Sequence, residues 1–258
     1  MARASVKLLE IRNLSKYFDG LAALDNIDLD VFESEILGVI GPNGAGKTTL
    51  FNVTTGILPP TSGRLKFKGE DITGLKPHQI AEKGIGRTFQ ASVLFMGSTV
   101  FENVFTAFHM QYKQPDWKAF LHTPSTKKEE LVIKQKVVEI LELMNLSSVK
   151  DERAVNLPHG HQRMLGVCLA LATEPRLLLL DEPVTGMNPV ETSAMVNSIQ
   201  RIRDSGTTIV VVEHNMKAIM SLCDRIAVLN HGKKIAEGLP EEIRDNKEVI
   251  EAYLGSEK

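Results

Sequence analysis

The sequence Gly41-Pro42-Asn43-Gly44-Ala45-Gly46-Lys47-Thr48 follows an apolar stretch at residues 36–40 and precedes a stretch at residues 49–56 that is compatible with a helix. A strand that ends at a glycine-rich turn and continues into a helix leaves several backbone N–H groups pointing into one concavity. Glycines let the backbone approach an anion closely, and the positive end of the helix dipole adds to the attraction. The sequence therefore predicts a loop that binds polyphosphate.

The side chains of this loop predict how the phosphates are held. Lys47 is expected to reach the β- and γ-phosphate oxygens, and the Thr48 hydroxyl is positioned to hold Mg²⁺. A chance glycine-rich turn is the alternative, but it would not require the strand, the spacing, the lysine and the threonine together. The residues predicted to contact the nucleotide here are Gly41, Pro42, Asn43, Gly44, Ala45, Gly46, Lys47, Thr48 and Thr49.

A second chemical feature is an apolar strand that ends in two acids. Residues 177–180 are all leucine, and Asp181 and Glu182 follow directly. The carboxyl ends of central parallel strands open onto the crevice where ligands bind, so both acids are expected near the phosphate loop. We expect Asp181 to hold Mg²⁺, directly or through water, and Glu182 to polarise the water that attacks the γ-phosphate. An acidic helix cap after a buried strand is the alternative interpretation.

Composition limits the class of protein. A chain of 258 residues is long enough for one large α/β domain, or for a core with a smaller lobe. Charged residues make up 24% and the formal net charge is -2, so no basic face for nucleic acid or anionic lipid is indicated. No apolar run approaches the roughly 20 residues that cross a bilayer, and residues 1–12 lack the apolar core of a signal peptide. We therefore expect a cytoplasmic protein, with Cys168 and Cys223 as buried free thiols.

Alternating strand and helix patterns predict a parallel sheet covered by helices in the second half of the chain. This pattern comprises strands at 177–180, 207–212 and 225–229 and helices at 190–203 and 215–222. The first half is expected to contain two strands within 6–33, joined at Asp19-Gly20, a further strand at 63–68, and helical stretches within 98–156, including 127–144. Residues 240–254 are predicted to form two short helices.

Two further motifs carry a family resemblance. Leu157-Pro158-His159-Gly160-His161-Gln162-Arg163 precedes the acidic strand, and Val211-Val212-Glu213-His214 ends the next strand. With the phosphate loop and the acidic strand, in this order, they resemble the ATPases of ABC transporters over essentially the whole chain. The resemblance implies a P-loop NTPase fold of the α/β class, with a RecA-like parallel-sheet core, an antiparallel β subdomain and an inserted α-helical subdomain. It also implies ATP and Mg²⁺ as cofactors and ATP hydrolysis as the activity.

The same resemblance implies a division of the single domain at residues 1–258. The nucleotide-binding core is expected at about 6–97 and 157–239. The helical subdomain at about 98–156 is expected to run into the signature helix, and a helical tail is expected at about 240–258.

The resemblance assigns roles to further residues, position by position. Gln90, in Gly86-Arg87-Thr88-Phe89-Gln90, matches the family's Q-loop glutamine, which contacts Mg²⁺ and senses the transmembrane partner. His214 matches the switch histidine that contacts the γ-phosphate. Phe18 is the expected aromatic that stacks on adenine, with Tyr17 as the alternative, and residues 184–189 match the D-loop.

The signature loop is where this sequence departs from the family pattern. In this family the loop begins a helix whose N-terminus binds the γ-phosphate of the nucleotide held by the opposite subunit. Leu157, His159 and Gly160 are the residues expected to make that contact. Pro158 replaces the serine of the usual LSGGQ and His161 replaces its glutamine. Because proline has neither a hydroxyl nor an N–H to donate, a weaker or differently arranged contact is expected.

Several local features are similar to one branch of the family, the ATPase subunits of bacterial branched-chain amino-acid importers. They are the Arg-Thr-Phe-Gln run, the lobe containing Leu121-His122-Thr123-Pro124-Ser125, the pair Asn188-Pro189, and the ending Glu251-Ala252-Tyr253-Leu254-Gly255. The implied partners are transmembrane permease subunits, a second ATPase subunit in a homo- or heterodimer and, indirectly, a substrate-binding protein. The implied location is peripheral, on the inner face of the cell membrane, with no nucleic acid bound.

Other functions remain as alternatives. An ABC ATPase of another membrane system, such as a urea/amide-type importer or lipopolysaccharide export, would share most of these motifs. A non-transport ABC ATPase acting on nucleic acid would be expected to carry a basic stripe, coiled-coil arms or two ATPase halves. A catalytically silent regulatory subunit is supported by Pro158 alone. A GTPase would need an Asn-Lys-x-Asp motif, whereas Asn246-Lys247 is followed by Glu248 and Val249.

Overall fold

The computed structural model describes residues 6–88, 94–109 and 124–254, with residues 109 and 124–127 described as backbone only. In chain order the elements are β1 (Lys7–Phe18), β2 (Leu21–Phe32), β3 (Ile36–Ile40), α1 (Lys47–Thr54), β4 (Ser62–Phe67), β5 (Glu70–Asp71), α2 (Pro77–Glu82), β6 (Ile85–Arg87), α3 (Val100–His109), α4 (Pro124–Leu143), α5 (His159–Leu171), β7 (Leu177–Asp181), α6 (Pro189–Asp204), β8 (Thr208–Val212), α7 (Met216–Leu222), β9 (Arg225–Asn230), β10 (Lys233–Gly238), α8 (Pro240–Arg244) and α9 (Lys247–Leu254). Short 3-10 helices lie at Ser147–Val149 and Ala154–Asn156.

The predicted parallel sheet is confirmed. Its strand order is β10-β9-β3-β8-β7-β6, with all neighbours parallel except β10, which is antiparallel to β9. Val212 pairs with both Val39 and Asp181, so β3, β7 and β8 end at the same edge of the sheet. The phosphate loop, the two acids and the histidine motif all follow these strand ends.

The two strands expected within residues 6–33 form one side of a second, antiparallel sheet of order β2-β1-β4-β5, in which β2 is an edge strand. Asp19 and Gly20 join β1 to β2 with φ angles of 45° and 90°. Left-handed conformations at both central residues give a turn whose twist matches that of the flanking strands. The predicted Asp19-Gly20 hairpin is therefore confirmed.

Alternate residues of the parallel strands pack into two hydrophobic clusters, one on each face of the sheet. Ile36 and Ile40 of β3 belong to the cluster that also contains residues of α3, α4, α5, α6 and α7. Leu37 and Val39 belong to the cluster that contains residues of α1 and of the antiparallel sheet. The strands are buried on both faces, which explains why their sequences are uninterrupted apolar runs.

Sequence patterns missed four short elements and misplaced one strand boundary by a residue. β5, β6, α2 and β10 were not expected, and the strand predicted at 207–212 begins at Thr208. β10 is an edge strand of exposed and half-buried residues that includes Lys233, Lys234 and Glu237, so it lacks the apolar alternation of a typical strand. Gln90, residues 121–123 and Gly255 lie outside the described residues.

Candidate nucleotide-binding site

The phosphate loop is held tightly between β9 and β2. Gly41 has a φ of 153°, and a Cβ there would lie 2.1 Å from the Leu229 carbonyl oxygen. Gly46 has a φ of 105°, and its Cβ would lie 2.5 Å from the Ala23 carbonyl oxygen. Both close contacts are with backbone atoms, which cannot move aside cheaply. Only glycine fits these two positions, so neighbouring strands dictate the shape of the loop.

Lys47, the first residue of α1, spans the mouth of this loop. Its Nζ donates hydrogen bonds to the carbonyl oxygens of Gly41, at 2.6 Å, and Pro42, at 3.0 Å. Burial lowers the pKa of Lys47, and the negative charges of Glu182 and Asp181 partly oppose that shift. The first turn of α1 carries no acid, so nothing on that turn offsets the positive end of the helix. Thr48 is exposed and Thr49 half-buried in the same turn.

Asp181 forms a buried ion pair that the sequence patterns did not reveal. Its side chain is 3% exposed, and Oδ2 accepts a hydrogen bond from Arg87 Nη2 at 2.8 Å. The other end of the guanidinium, Nη1, donates to Asn52 Oδ1 at 2.7 Å and to Thr55 Oγ1 at 3.3 Å. Arg87 thus connects the acidic strand to α1, the helix that begins in the phosphate loop.

The second oxygen of Asp181 is free to accept a ligand. Oδ1 is buried and has no hydrogen-bond partner among the described residues. A buried carboxylate oxygen without a partner is costly, and a cation or an ordered water would satisfy it. The Asp181 amide donates to Thr88 Oγ1 at 3.1 Å, which fixes the backbone at this strand end.

Glu182 and His214 lie close together at the same sheet edge. Glu182 has a φ of 49°, a left-handed conformation that is uncommon for a residue with a Cβ. Its amide donates to the Val212 carbonyl at 2.8 Å, which ties it to the end of β8. Its Oε1 lies 3.9 Å from His214 Nδ1. Such backbone outliers concentrate at functional sites, because the surrounding structure must hold them in place.

The two aromatic candidates for adenine stacking lie at the hairpin between β1 and β2. The loop glycine Gly46 packs on the Ala23 carbonyl of β2, so this hairpin adjoins the phosphate loop. Phe18 and Tyr17 are about equally exposed, at 42% and 41%. Lys16 Nζ lies 5.1 Å from the centre of the Phe18 ring, whereas the Tyr17 hydroxyl donates to Asp25 Oδ1 at 3.3 Å. The choice of Phe18 over Tyr17 stays a prediction.

The signature loop is not brought to the phosphate loop of its own chain. Helix α5 begins at His159 with Pro158 as its N-cap, and Pro158 makes no side-chain capping bond. Among the described residues, no hydrogen bond or ion pair joins this helix start to residues 41–49. It packs against the D-loop side instead: a Cβ on Gly160 would lie 2.7 Å from the Glu191 carboxylate, and one on Gly186 would lie 3.4 Å from the His159 ring.

The tail of the chain contacts the phosphate loop. Tyr253 on α9 is partly buried against the core, and burial raises the pKa of its phenol, partly offset by a hydrogen bond with the Gly41 backbone. A cavity of about 250 Å³ lies between loop and tail, lined by Pro42, Asn43, Ala45, Asn230, His231, Glu251 and Ala252. Sequence patterns predicted the tail helices but gave no sign of this contact.

The structure thus brings together one part of the predicted site. The phosphate loop, Asp181, Glu182 and His214 converge, whereas Leu157, His159 and Gly160 lie apart from them. Arg87 was missed as a site residue, because its strand, β6, has only three residues and gives no pattern that would mark the arginine. Within the described part of the chain, no helix combines the length and the apolar character needed to cross a bilayer.

Comparison with known proteins gives consistent matches. Residues 24–185 match the family model described as ABC transporter, and residues 233–258 match that of the branched-chain amino acid ATP-binding cassette transporter. The chain is 41% identical over 249 residues to the high-affinity branched-chain amino acid transport ATP-binding protein BraF of Pseudomonas aeruginosa, covering 96% of this chain and 98% of that protein. It is 31% identical over 252 residues to the lipopolysaccharide export system ATP-binding protein LptB of Haemophilus influenzae, covering 98% and 99%.

A solved structure supports the same relationship. The ADP conformation of MJ1267, an ATP-binding cassette of an ABC transporter, superposes with a TM-score of 0.85 at 30% sequence identity, over 97% of this chain and 100% of that chain. The expected α/β fold of an ABC ATPase is therefore confirmed.

Proposed function

This chain belongs to the ABC transporter family of ATP-binding, ATP-hydrolysing proteins, and on that premise we propose that it powers an importer of branched-chain or other hydrophobic amino acids. ATP hydrolysis is supported by one observation, the convergence of Lys47, Glu182 and His214 at one edge of the parallel sheet. The match of residues 233–258 to the branched-chain model supports the substrate class. It favours this branch over lipopolysaccharide export, where the relative is less similar.

The proposed hydrolysis depends on how these side chains face the γ-phosphate. The loop amides and Lys47 bind the polyphosphate, which displaces Lys47 from the carbonyls of Gly41 and Pro42. Glu182 polarises the attacking water, and His214 contacts the γ-phosphate. Because Glu182 is fixed through its amide to β8, the water is oriented by a rigid strand end. Phe18, or Tyr17, stacks on the adenine.

The residues present fit a divalent cation at the phosphates. Asp181 offers the partnerless buried oxygen Oδ1, and Thr48 offers an exposed hydroxyl in the first turn of α1. We propose these two groups and Gln90 as the ones that hold Mg²⁺. When bound, the ion supplies positive charge that offsets the negative charge of the β- and γ-phosphates.

The position of α5 supports a two-chain arrangement. Because the α5 N-terminus lies apart from the phosphate loop, it is available to a nucleotide held by a second ATPase subunit, identical or related. Leu157, His159 and Gly160 would make that contact. We further propose that helices within 98–156 form a subdomain between the core parts 6–97 and 157–239, ahead of the tail at 240–258. The assembly would lie on the inner face of the cell membrane, with permease subunits as direct partners and a substrate-binding protein acting through them.

The test is transport by the full chain, reconstituted in proteoliposomes with permease subunits and a substrate-binding protein from the same organism. Uptake of labelled leucine should require ATP on the side that carries this chain. Glu182→Gln should bind ATP as before but stop both hydrolysis and uptake, because an amide cannot polarise the attacking water.

Three outcomes would contradict parts of this proposal. ATP-driven uptake of urea or an amide, without leucine uptake, would assign a different substrate. Hydrolysis that is stimulated by DNA or RNA and indifferent to the permease would indicate a non-transport ATPase. Turnover of Glu182→Gln at the wild-type rate would remove Glu182 from its role.

A further inference from the structure

Glu213 is a buried carboxylate that the proposed hydrolysis does not use. It directly follows β8, and its side chain is 2% exposed. Its Oε1 accepts a hydrogen bond from the Val184 amide at 2.9 Å. Its Oε2 accepts from the amides of His214, at 3.0 Å, and Asn215, at 3.2 Å. One side chain therefore satisfies backbone donors from two separate loops.

The chemistry of these bonds requires a carboxylate. An ionised carboxylate is purely an acceptor, and hydrogen bonds from N–H groups to it are stronger than those between neutral groups. Three such bonds compensate the cost of burying the group, which would otherwise be prohibitive. An amide of the same shape would turn an NH₂ group toward at least one of these backbone N–H groups.

The two loops that Glu213 joins carry the proposed catalytic groups. Val184 lies two residues after Glu182, and His214 is the next residue after Glu213. The pairing of β7 with β8 ends at Asp181 and Val212, and the bond from the Glu182 amide to Val212 is the last backbone link between them. Beyond that point, the hydrogen bonds that join the two loops among the described residues are those of the Glu213 side chain. His214 Nδ1 lies 3.9 Å from both Glu182 Oε1 and Glu213 Oε2.

We propose that Glu213 is a positioning residue for ATP hydrolysis, which fixes the loop after Glu182 and the loop of His214 as one unit. This rests on the proposed function of the site. Without the hydrogen bonds to Glu213, the side chains of Glu182 and His214 would be unchanged, but the distance between them would no longer be fixed. Small displacements of catalytic groups lower the rate of the reaction strongly. The phosphate loop makes no bond to Glu213 among the described residues, so nucleotide binding should be untouched.

The unit extends toward the second nucleotide site. Val184 begins the D-loop segment, and Gly186 of that segment packs on the ring of His159 at the start of α5. Glu191, two residues into α6, packs on Gly160. These contacts place the unit held by Glu213 next to the helix N-terminus that we propose for the opposite nucleotide.

The experiment compares Glu213→Gln and Glu213→Asp with a matched control, Glu35→Gln. Glu35 is also a buried carboxylate that accepts a backbone N–H, from Phe32 at 2.7 Å. It pairs with Arg225 at the edge of the sheet where β3 and β9 begin, whereas the loops in question follow the opposite ends of β7 and β8. Hydrogen–deuterium exchange of the purified full chain measures the bonds directly, without activity. Exchange should rise in peptides covering 182–188 and 211–217 in both Glu213 variants, and around Phe32 in the control.

Steady-state kinetics then measures the effect on catalysis. Glu213→Gln should lower kcat at least tenfold, with ATP affinity within about twofold of wild type, whereas Glu35→Gln should leave kcat within about twofold. In a His214→Ala background, Glu213→Gln should lower kcat by clearly less than tenfold, because the two residues act as a unit.

Two results would overturn the proposal. Unchanged exchange at 182–188 and 211–217 would mean that Glu213 does not hold these loops, even if the isolated chain has no measurable turnover. Increased exchange with unchanged kcat, or with ATP affinity falling in parallel with kcat, would reduce Glu213 to a structural residue. A wild-type chain that fails to hydrolyse ATP would instead contradict the proposed function. The exchange data would still show whether Glu213 holds the two loops together.

Discussion

At the scale of single residues, the buried pair formed by Arg87 and Asp181 is expected to have a large effect on stability. Removing one partner of a buried ion pair leaves an uncompensated charge and typically costs about 3 to 5 kcal/mol. Arg87→Met should therefore lower the free energy of unfolding by about that amount, measured by urea denaturation. Arg87→Lys should lower the free energy of unfolding by a smaller amount. Lysine keeps the charge, but it lacks the planar guanidinium that contacts Asp181 and Asn52 at the same time. Equal losses in both variants would contradict this account.

Lys47 should make nucleotide binding sensitive to alkaline pH. Only the protonated amine binds phosphate, and burial lowers the pKa of Lys47 below its ordinary value, so the charge is lost at a lower pH than for a free lysine. ATP affinity should fall as pH rises through this lowered pKa. Because charged hydrogen bonds contribute about 1.5 to 3 kcal/mol, Lys47→Ala should weaken binding by tenfold or more and abolish the pH dependence.

Equilibrium titration with a fluorescent ATP analogue measures both effects. Lys66→Ala, which removes an exposed lysine of β4, is the matched control and should bind as wild type does. Undiminished affinity of Lys47→Ala would remove the phosphate-loop assignment.

The convergence of site residues was predictable where one stretch of sequence carries the whole signal. The phosphate loop and the pair Asp181-Glu182 are contiguous motifs, and their predicted convergence depends only on parallel strands ending together. Arg87 and Asp181 are 94 positions apart, and Glu213 reaches back 29 positions to Val184. Such pairings depend on which strands become neighbours in the sheet, and local patterns do not contain that information.

At the scale of secondary-structure elements, the start of α5 offers a sharp test. Pro158 has the backbone conformation of an N-cap, but its side chain makes no capping hydrogen bond. Serine is among the favoured N-cap residues, and it stabilises a helix by about 1 kcal/mol relative to a residue that cannot cap. Pro158→Ser should thus stabilise the helix start and restore a hydroxyl toward the opposite γ-phosphate. A hydrogen bond to a charged group contributes roughly 1.5 to 3 kcal/mol, and the cap would compete for the same hydroxyl.

The expected gain in ATP-dependent dimerisation is therefore about tenfold or less. Light scattering with Mg-ATP in the Glu182→Gln background measures it without interference from hydrolysis. An unchanged or weaker dimer would indicate that His159 or the Gly160 amide makes the contact, and that Pro158 serves only to start the helix.

Among elements, burial decided which ones the sequence predicted. β7 and β8 are completely buried, so their apolar runs are unmistakable. β6 has only three residues and β10 lies at an exposed edge, so neither carries a periodic signal. The predicted helix at 127–144 is confirmed as part of α4, which the structure extends at its start to Pro124.

At the scale of the whole molecule, both cysteines report on the integrity of one of the two hydrophobic clusters, the one that contains residues of α3 to α7. Cys168 and Cys223 are free and buried, as expected from the sequence, and burial raises the pKa of both thiols. They should therefore stay protonated and unreactive toward Ellman's reagent at pH 8 in the native protein, since the thiolate is the nucleophile. Both should react at once in concentrated guanidinium chloride. Fast labelling of the native chain would contradict the packing described.

The contact between the tail and the phosphate loop bears on how selectively a small molecule could inhibit this protein. A compound aimed at the phosphates would meet a loop of a type that many nucleotide-binding proteins share. The neighbouring cavity of about 250 Å³ has Pro42 and Asn43 on one side and Glu251 and Ala252 of α9 on the other. A fragment-sized molecule placed there would touch the loop without occupying the phosphate concavity, and only in proteins that carry this tail. A selective inhibitor should therefore bind beside the tail, because its binding there would not depend on competition with ATP.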